Sequence, residues 1–361
     1  MKIAMIGHKR IPGREGGIEV VVEELSSRLT NMGIEVIAYN RRKKGYKSPS
    51  LYKGIELKDV FTIEKKSTDA IIYSFLSSVL VSFSRCSVIH YHGIGPSLFL
   101  FIPLLFRKKI IVTVHGLNYK TPKWKGIGKK ILKLGEILTA KFAHKIIVLS
   151  KAQQLYFKNK YNRETVYIPN GTVIKNIEPP SEITKNYGLT KDSYILFVSR
   201  VVPGKGLEYL IDAFIKLNTN KKLVIAGDSP FMQEYRKNII KKTKTDPRIK
   251  FVGHVEGKVL QELYSNARLF VFPSEAEGMP MCLLEALSYD CPCLVSDIPE
   301  NIDFAGNFVT SFKSCDIDDL KLKLDNILRN KKCNMHSREY IEANYSWDNV
   351  LNNVIACYKD I

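Results

Sequence analysis

Short apolar runs alternate with stretches of helical spacing twice along this chain, and that alternation constrains its fold more than any other feature. In the first set, Lys2–Ile6, Glu35–Tyr39, Val88–Tyr91, Ile110–Val114 and Lys145–Leu149 have strand character, and Ile18, Val21, Val22, Leu25 and Leu29 recur between the first two at the spacing of one helix face. In the second set the strand candidates are Tyr194–Val198, Lys222–Ala226, Ile249–Val252, Leu269–Phe272 and Cys293–Ser296. Near-continuous apolar strands separated by amphipathic helices predict sheets covered by helices, the α/β class, built as two Rossmann-like doubly wound domains. The 361 residues suffice for two such domains, and the turn sequence Tyr167-Ile-Pro-Asn-Gly171 marks the change from one to the other. The expected division is residues 1–168, residues 169–340 and a closing helical segment, 341–361, that packs back on the first domain.

Doubly wound domains take ligands at the carboxyl ends of their strands, so two that face each other would enclose one cleft. The candidate site residues fall at those ends. After the first strand, Gly16 and Gly17 open a helix and allow a phosphate close to backbone amides, or serve only as a flexible helix start. No G-x-G-x-x-G dinucleotide fingerprint is present. His115 ends the strand Ile110–Val114 and either faces the cleft or is a structural histidine. Arg200 and Lys205 follow Tyr194–Val198 and put two cations before a helix start, where a diphosphate would sit; the spacing of a Walker loop is missing, so an ATPase is not indicated. Gly227 ends the next strand. Beyond it, Gly253-His-Val255 is either a loop whose backbone reads a nucleobase edge or plain turn chemistry.

Phe272-Pro-Ser-Glu-Ala-Glu-Gly-Met-Pro-Met-Cys-Leu-Leu-Glu285 sets two glutamates around a strand-to-helix turn. Free amides over residues 279–282 would favour an anion. Glu277 would lie beside it, and Glu285, about one turn into the helix, would accept from ribose hydroxyls. Taken alone, the pair is equally a loop carboxylate and a solvated one.

The net charge of +19 is unevenly placed: residues 1–168 carry 30 Lys/Arg against 11 Asp/Glu, and residues 169–361 carry 25 against 25. Part of the excess lies in Lys120–Gly135, a basic amphipathic stretch with Trp124 as an aromatic anchor, and more in Arg41–Lys44 and Arg107–Lys109. The pattern suits an anionic membrane surface or a solvated face. Nucleic acid is the rival partner, but no helix-turn-helix, zinc finger or RNP-like motif accompanies the charge. The longest apolar stretches, 70–83 and 94–106, are too short to span a bilayer, and the N-terminus lacks the apolar core and cleavage site of a signal peptide, so a cytoplasmic protein is expected. Seven cysteines without framework spacing fit reduced thiols. Asp316-Ile-Asp-Asp319 precedes a helical run, where carboxylates need no metal, and no metal site is expected.

In combination, Gly16-Gly-Ile-Glu19, Thr113-Val-His-Gly116, Val148-Leu-Ser150, Ile168-Pro-Asn-Gly171, Ser199-Arg with Lys205-Gly206, Ala226-Gly227 and the E-x(7)-E element from Glu277 to Glu285 resemble the retaining GT-B glycosyltransferases of family 4. The resemblance spans the whole chain, and the opening Ile6–Glu19 is similar to the subgroup that builds bacterial surface polysaccharides, including some rhamnosyltransferases. It implies that Arg200 and Lys205 bind the donor diphosphate and Glu285 the ribose. Glu277, with the amides of Gly278, Met279, Pro280, Met281 and Cys282, would take the transferred sugar. Gly16 and Gly17 would approach the phosphates, with Gly227 and Val255 also at the donor, and His115 would contact the sugar or the reacting centre. It further implies a nucleoside-diphosphate sugar as co-substrate, a UDP-sugar being the commonest in the family, transfer without a metal or other cofactor, and a lipid-linked (polyprenyl diphosphate) saccharide acceptor at the inner face of the cell membrane. A sugar-nucleotide 2-epimerase of the same fold and a basic nucleic-acid-binding protein are the alternative readings.

Overall fold

A computed structural model of the chain describes residues 1–13, 16–64, 68–117, 119, 126–228, 232–330 and 336–361. Arg14, Glu15 and the segment Lys120–Lys125, which includes Trp124, lie outside the described residues.

The chain divides into two compact units. The first contains most of the residues up to Gly171 together with Trp347–Ile361, and the second contains Thr172–Ser346. The junctions therefore fall at 171/172 and 346/347, not at 168/169 and 340/341. Physical reasons are visible at both. Gly171 lies flat against the Trp347 indole inside the first unit, where a Cβ would come within 2.7 Å of the ring. Ile341 is fully buried in the second unit, and Tyr345 packs edge-on to Phe304 there, with its hydroxyl donating to the Phe304 carbonyl.

The first unit holds β1 (Lys2–Ile6), β2 (Glu35–Arg41), β3 (Leu51–Tyr52), β4 (Ile55–Val60), β5 (Val88–His92), β6 (Lys109–Val114), β7 (Lys145–Val148) and β8 (Val166–Tyr167). They form one sheet in the order β3-β4-β2-β1-β5-β6-β7-β8, parallel except for the β3 edge. The second unit holds β9 (Tyr194–Val198), β10 (Lys222–Ala226), β11 (Ile249–Gly253), β12 (Leu269–Phe272), β13 (Cys293–Ser296) and β14 (Thr310–Phe312), parallel throughout in the order β11-β10-β9-β12-β13-β14. Each order runs outward from its first strand and then returns to start again on that strand's other side. The reversal lies between β1 and β5 in the first unit and between β9 and β12 in the second, and such a point leaves a crevice at the strand ends.

Burial follows the sequence pattern. The central strands β1, β5 and β12 are buried along nearly their whole length, as expected for strands with helices on both faces. Glu35–Arg41 and Ile55–Val60 extend the first sheet on one side. The Ile55–Val60 strand (Ile-Glu-Leu-Lys-Asp-Val) is half charged and so is not among the apolar runs read from sequence. The C-terminal helical pattern proves to be two helices, Ser337–Asn344 and Trp347–Lys359, broken at Tyr345-Ser346. The second helix lies in the first unit with Trp347, Val350, Leu351, Val354 and Tyr358 buried. Trp347 stands under the Arg28 guanidinium and beside Gly171. Removing its indole should detach the anchor of that helix. Trp347→Ala is expected to destabilise the first unit by about 3–5 kcal/mol, read by urea titration followed by far-UV circular dichroism.

Candidate active site

In the second unit the crevice residues are set by glycine. Gly206, at φ +69°, starts the helix Leu207–Ile215, and a Cβ there would lie 1.9 Å from the Pro273 carbonyl oxygen. The turn after β9 can approach the turn after β12 this closely only because residue 206 has no side chain. Glu275 N–H donates to the Gly204 carbonyl (3.0 Å) and ties the two turns together. Across the same seam the Lys205 ammonium pairs with Glu277 Oε1. The same oxygen accepts from Ser274 Oγ at 2.6 Å. Ser274 is held in turn: Ser296 Oγ donates to its carbonyl, and Asn301 Nδ2 donates to Ser296 Oγ at 3.0 Å. All three side chains, Ser274, Ser296 and Asn301, are completely buried, so Glu277 stands at the end of a rigid polar chain. Among the described residues nothing bonds to Glu277 Oε2, which leaves one carboxylate oxygen to accept from a ligand.

The remaining predicted residues of this unit gather at the same carboxyl end. Arg200, exposed, is two residues beyond β9. Gly227 follows β10, its N–H donating to the Gly253 carbonyl at 2.7 Å and its backbone too close to Ser199 for any Cβ. Val255, half-buried, follows β11. Gly278, Met279 and Pro280 are buried in the turn after β12, and the helix Met281–Ser288 begins with Pro280 as its N-cap and no capping side chain. Pro280 has no N–H, which corrects the expectation of a run of amides over 279–282. The first-turn amides that helix geometry leaves without an intrahelical acceptor start at Met281. The surroundings of Cys282 raise its thiol well above the ordinary range, by burial first and by the nearby Glu277 charge second, which disfavours the thiolate. Glu285 Oε2 accepts from the Tyr264 hydroxyl (3.2 Å), and Tyr264 is buried and stacked on Tyr289. Asp316 caps its own helix, accepting from Asp318 and Asp319 N–H, which accounts for that acidic cluster.

The first unit has its own crevice. Gly7 ends β1 at φ +122°, and a Cβ there would lie 2.4 Å from the His92 carbonyl oxygen at the end of β5. Gly16, extended at φ −172°, is the N-cap of the helix Gly17–Asn31. The Lys9 N–H donates to Glu19 Oε1 (2.9 Å), folding the loop back on that helix. His115 follows β6 and does not stand alone. Its Nε2 is 3.0 Å from His92 Nδ1, and His92 is sandwiched between His115 and His90, with ring centroids 5.2 and 4.3 Å away. His90 is satisfied at both nitrogens, by the Tyr358 hydroxyl and Thr113 Oγ1, each at 2.7 Å. Burial pushes His115 down to about 4 and His90 to about 3, and His92 lies well below the ordinary range. The row is therefore neutral at physiological pH.

Lys205, Glu277, Ser274 and the helix start at Met281 are thus one constellation in the second unit, with Arg200, Gly227, Val255 and Glu285 on the same edge. His115 and Gly16–Gly17 belong to the edge of the first unit. Sequence reading missed Ser274, Ser296, Asn301, Tyr264 and His92. Of these, His92 was the most findable, because it ends β5 as His115 ends the neighbouring strand.

Similarity to known proteins falls along the same division. Residues 15–175 match the family described as Glycosyltransferase Family 4, and residues 181–347 match Glycosyl transferases group 1. An uncharacterized glycosyltransferase of Methanocaldococcus jannaschii is 32% identical over 181 residues, 46% of this chain and 45% of that protein. The Escherichia coli UDP-Gal:alpha-D-GlcNAc-diphosphoundecaprenol alpha-1,3-galactosyltransferase is 28% identical over 244 residues, 63% of this chain and 62% of that one. The chain therefore spans about half to three-fifths of the length of these curated relatives. The crystal structure of Anabaena HepE in complex with UDP and glucose superposes with a TM-score of 0.83, covering 100% of both chains at 15% identity, a likeness of fold.

The neutral histidines carry a pH signature. Between about pH 4 and 6.5 the unfolded chain binds protons that native His8, also held at about 4 by burial, and His115 refuse. The stability these two histidines contribute is fully present above pH 6.5 and is lost as the pH is lowered through this window. The melting temperature should drop accordingly, and His115→Gln should flatten the drop.

Proposed function

Because the chain belongs to the GT-B glycosyltransferases of family 4, we propose that it moves a sugar from a nucleoside-diphosphate donor to a saccharide acceptor in bacterial surface polysaccharide or lipopolysaccharide synthesis. The observation that carries this reading is the Lys205–Glu277–Ser274 constellation at the second unit's strand reversal, beside an uncapped helix start. A diphosphate there meets Lys205, Arg200 and the Met281 helix dipole, three sources of positive potential. Glu285, steadied by Tyr264, accepts from the ribose hydroxyls.

The chemistry follows from that electrostatics. The bond from the anomeric carbon to the β-phosphate oxygen breaks with its electron pair going to the oxygen, and the cations stabilise the departing diphosphate. A new bond forms to the acceptor hydroxyl oxygen on the same face of the sugar, and the hydroxyl proton passes to the leaving phosphate oxygen. The anomeric configuration is retained without a protein nucleophile. Glu277 Oε2 orients the sugar and stabilises its developing positive charge, and His115 is assigned a neutral hydrogen-bonding contact to the sugar or its leaving group. No metal or other cofactor is assigned, since fixed cations supply the charge. A uridine donor is supported by the UDP-galactose in the name of the E. coli relative and by the UDP and UDP-glucose in complex with HepE. A lipid-linked acceptor is supported by the diphosphoundecaprenol in that relative's name.

We also assign the first unit to an anionic membrane surface on the cytoplasmic side. No helix among the described residues is long and apolar enough to cross a membrane. The helix Asp69–Ser82 and the short helix Phe101–Leu105 nevertheless present exposed apolar side chains, with Phe83 74% and Leu105 80% exposed and Phe83 edge-on to Phe106. Arg107 and Lys109 adjoin them. On the helix Gly126–Phe142, Ile127 is 76% exposed among Lys129, Lys130 and Lys133. Apolar side chains beside lysines and arginines match the boundary of an anionic bilayer.

Transfer of radiolabelled sugar to a polyprenyl-diphosphate saccharide, across a panel of UDP-, dTDP- and GDP-sugars in EDTA, tests the reaction. The expected result is one preferred donor, product of retained configuration, and a loss of about 10²–10³-fold in kcat/KM for Glu277→Gln. Conversion of the sugar nucleotide without acceptor would point to an epimerase and contradict the reading. Cosedimentation with phosphatidylglycerol vesicles tests the surface. Binding should fall at high salt and drop at least tenfold in Phe83→Ser/Leu105→Ser, whereas equal binding to neutral vesicles would sink the assignment.

A further inference from the structure

His90 and His92 are two residues apart on β5 and share one face of the sheet, and His115 follows β6, whose Thr113 is paired with His92. The three imidazoles are therefore stacked by strand register. A stack of this kind disfavours protonation of any member, because a cation would face neutral rings in a buried site and repel a second cation. With both rings neutral, the 3.0 Å contact between His92 Nδ1 and His115 Nε2 holds one proton. Two arrangements satisfy it. Either His92 donates from Nδ1 and His115 accepts at Nε2, or His115 donates from Nε2 and His92 accepts at Nδ1.

The other nitrogen of His92 decides between them. His92 is 1% exposed, and its Nε2 is buried with no hydrogen-bond partner. A neutral imidazole carries a single N–H. If that proton were on Nε2, the structure would bury an N–H with nothing to accept it. If it is on Nδ1, what remains at Nε2 is a lone pair. Orphaned buried N–H groups are rarer than under-satisfied acceptors, and each costs the full desolvation of a donor. Exchange with His90 gives no escape, because that ring is engaged by Tyr358 and Thr113 and touches His92 only by stacking.

We infer that His92 is a positioning residue that donates from Nδ1 to His115 Nε2 and so locks His115 in the tautomer bearing its proton on Nδ1. Among the described residues, His115 Nδ1 has no hydrogen-bond partner, so its N–H is offered outward. His115 then acts as a neutral hydrogen-bond donor to an oxygen of the sugar or of the leaving group. It cannot take a proton from the acceptor hydroxyl at Nδ1, which removes it as a general base. Free histidine in water prefers the opposite tautomer, so the preference comes from His92. The catalytic consequence rests on the function proposed above; the tautomer does not.

Long-range proton–nitrogen correlation on protein labelled with ¹⁵N-histidine reads the tautomer directly, with His115→Gln identifying the His115 signals among the seven histidines. The expected spectrum shows a protonated Nδ1 and a bare Nε2 at His115. In His92→Phe the pattern should revert toward Nε2–H, with kcat about tenfold lower and the donor KM little changed. His92→Asn, whose side-chain amide can place an N–H where Nδ1 stood, should restore both. A protonated His115 Nε2 in the wild type would overturn the inference, as would an unchanged tautomer in folded His92→Phe. If His92→Phe does not fold, the wild-type spectrum still decides. If the tautomer is as stated and no sugar donor supports transfer, the functional proposal fails and the tautomer assignment stands.

Discussion

Where the strand order of each sheet reverses, the chain comes closer to itself than any side chain allows. In the first unit Gly7 lies against the His92 carbonyl, and in the second Gly206 lies against the Pro273 carbonyl. Both contacts sit where the strand order reverses, between β1 and β5 and between β9 and β12. The rest of each candidate site depends on this approach. It brings the turn carrying Lys205 against the turn carrying Ser274, Glu275 and Glu277, and it seats the end of β5 so that His92 meets His115. A Cβ at residue 206 would push the two turns apart and break the Lys205–Glu277 seam without touching either residue. The sites are consequences of backbone packing before they are arrangements of side chains.

The polar groups divide into those that serve folding and those aimed at a ligand. Glu136 is completely buried on the helix Gly126–Phe142, and its Oε1 gathers Tyr156 and Tyr161 hydroxyls and the Lys160 ammonium. Glu262, also completely buried, accepts from Ser181 and Ile183 N–H and fixes the start of the helix Glu182–Tyr187. Each joins two parts of its own unit. Glu277 differs because it is only half-buried: its Oε1 is held by Lys205 and by a chain of buried hydroxyl and amide groups that runs back to Asn301, and its Oε2 is not enclosed as the second oxygens of Glu136 and Glu262 are. A carboxylate held so firmly on one side has little reorganisation left to do when a ligand meets the other, which is the condition for electrostatic catalysis.

This division also explains what the sequence could and could not disclose. The buried parallel strands were legible because they are apolar throughout, and β4 was not, because half its residues are charged. Glu277 and Glu285 were legible through their spacing about a strand-to-helix turn. Arg200, Lys205 and Gly227 were legible because they end apolar runs. Pro280 stood in plain view, yet the loss of its N–H mattered only once the helix start was fixed at Met281. Ser274, Ser296, Asn301 and Tyr264 carry no local signature; they acquire a role only when β12, β13 and the helix Gly257–Asn266 are brought together. Glu136 and Glu262 look no different from Glu277 in one dimension. His115 could be suspected, but its partner His92 becomes visible only when strands β5 and β6 are paired.

The central claim is that the second unit's strand reversal is a nucleoside-diphosphate site built from Lys205, Arg200, the Met281 helix start and Glu285. Isothermal titration calorimetry of UDP, dTDP, GDP and ADP into the full chain, with EDTA present, tests it most directly. The account predicts one-to-one binding with a clear preference for one base, lost in Lys205→Ala and Glu285→Ala variants whose circular dichroism is unchanged. No binding of any nucleotide, or binding that survives both substitutions, would contradict it.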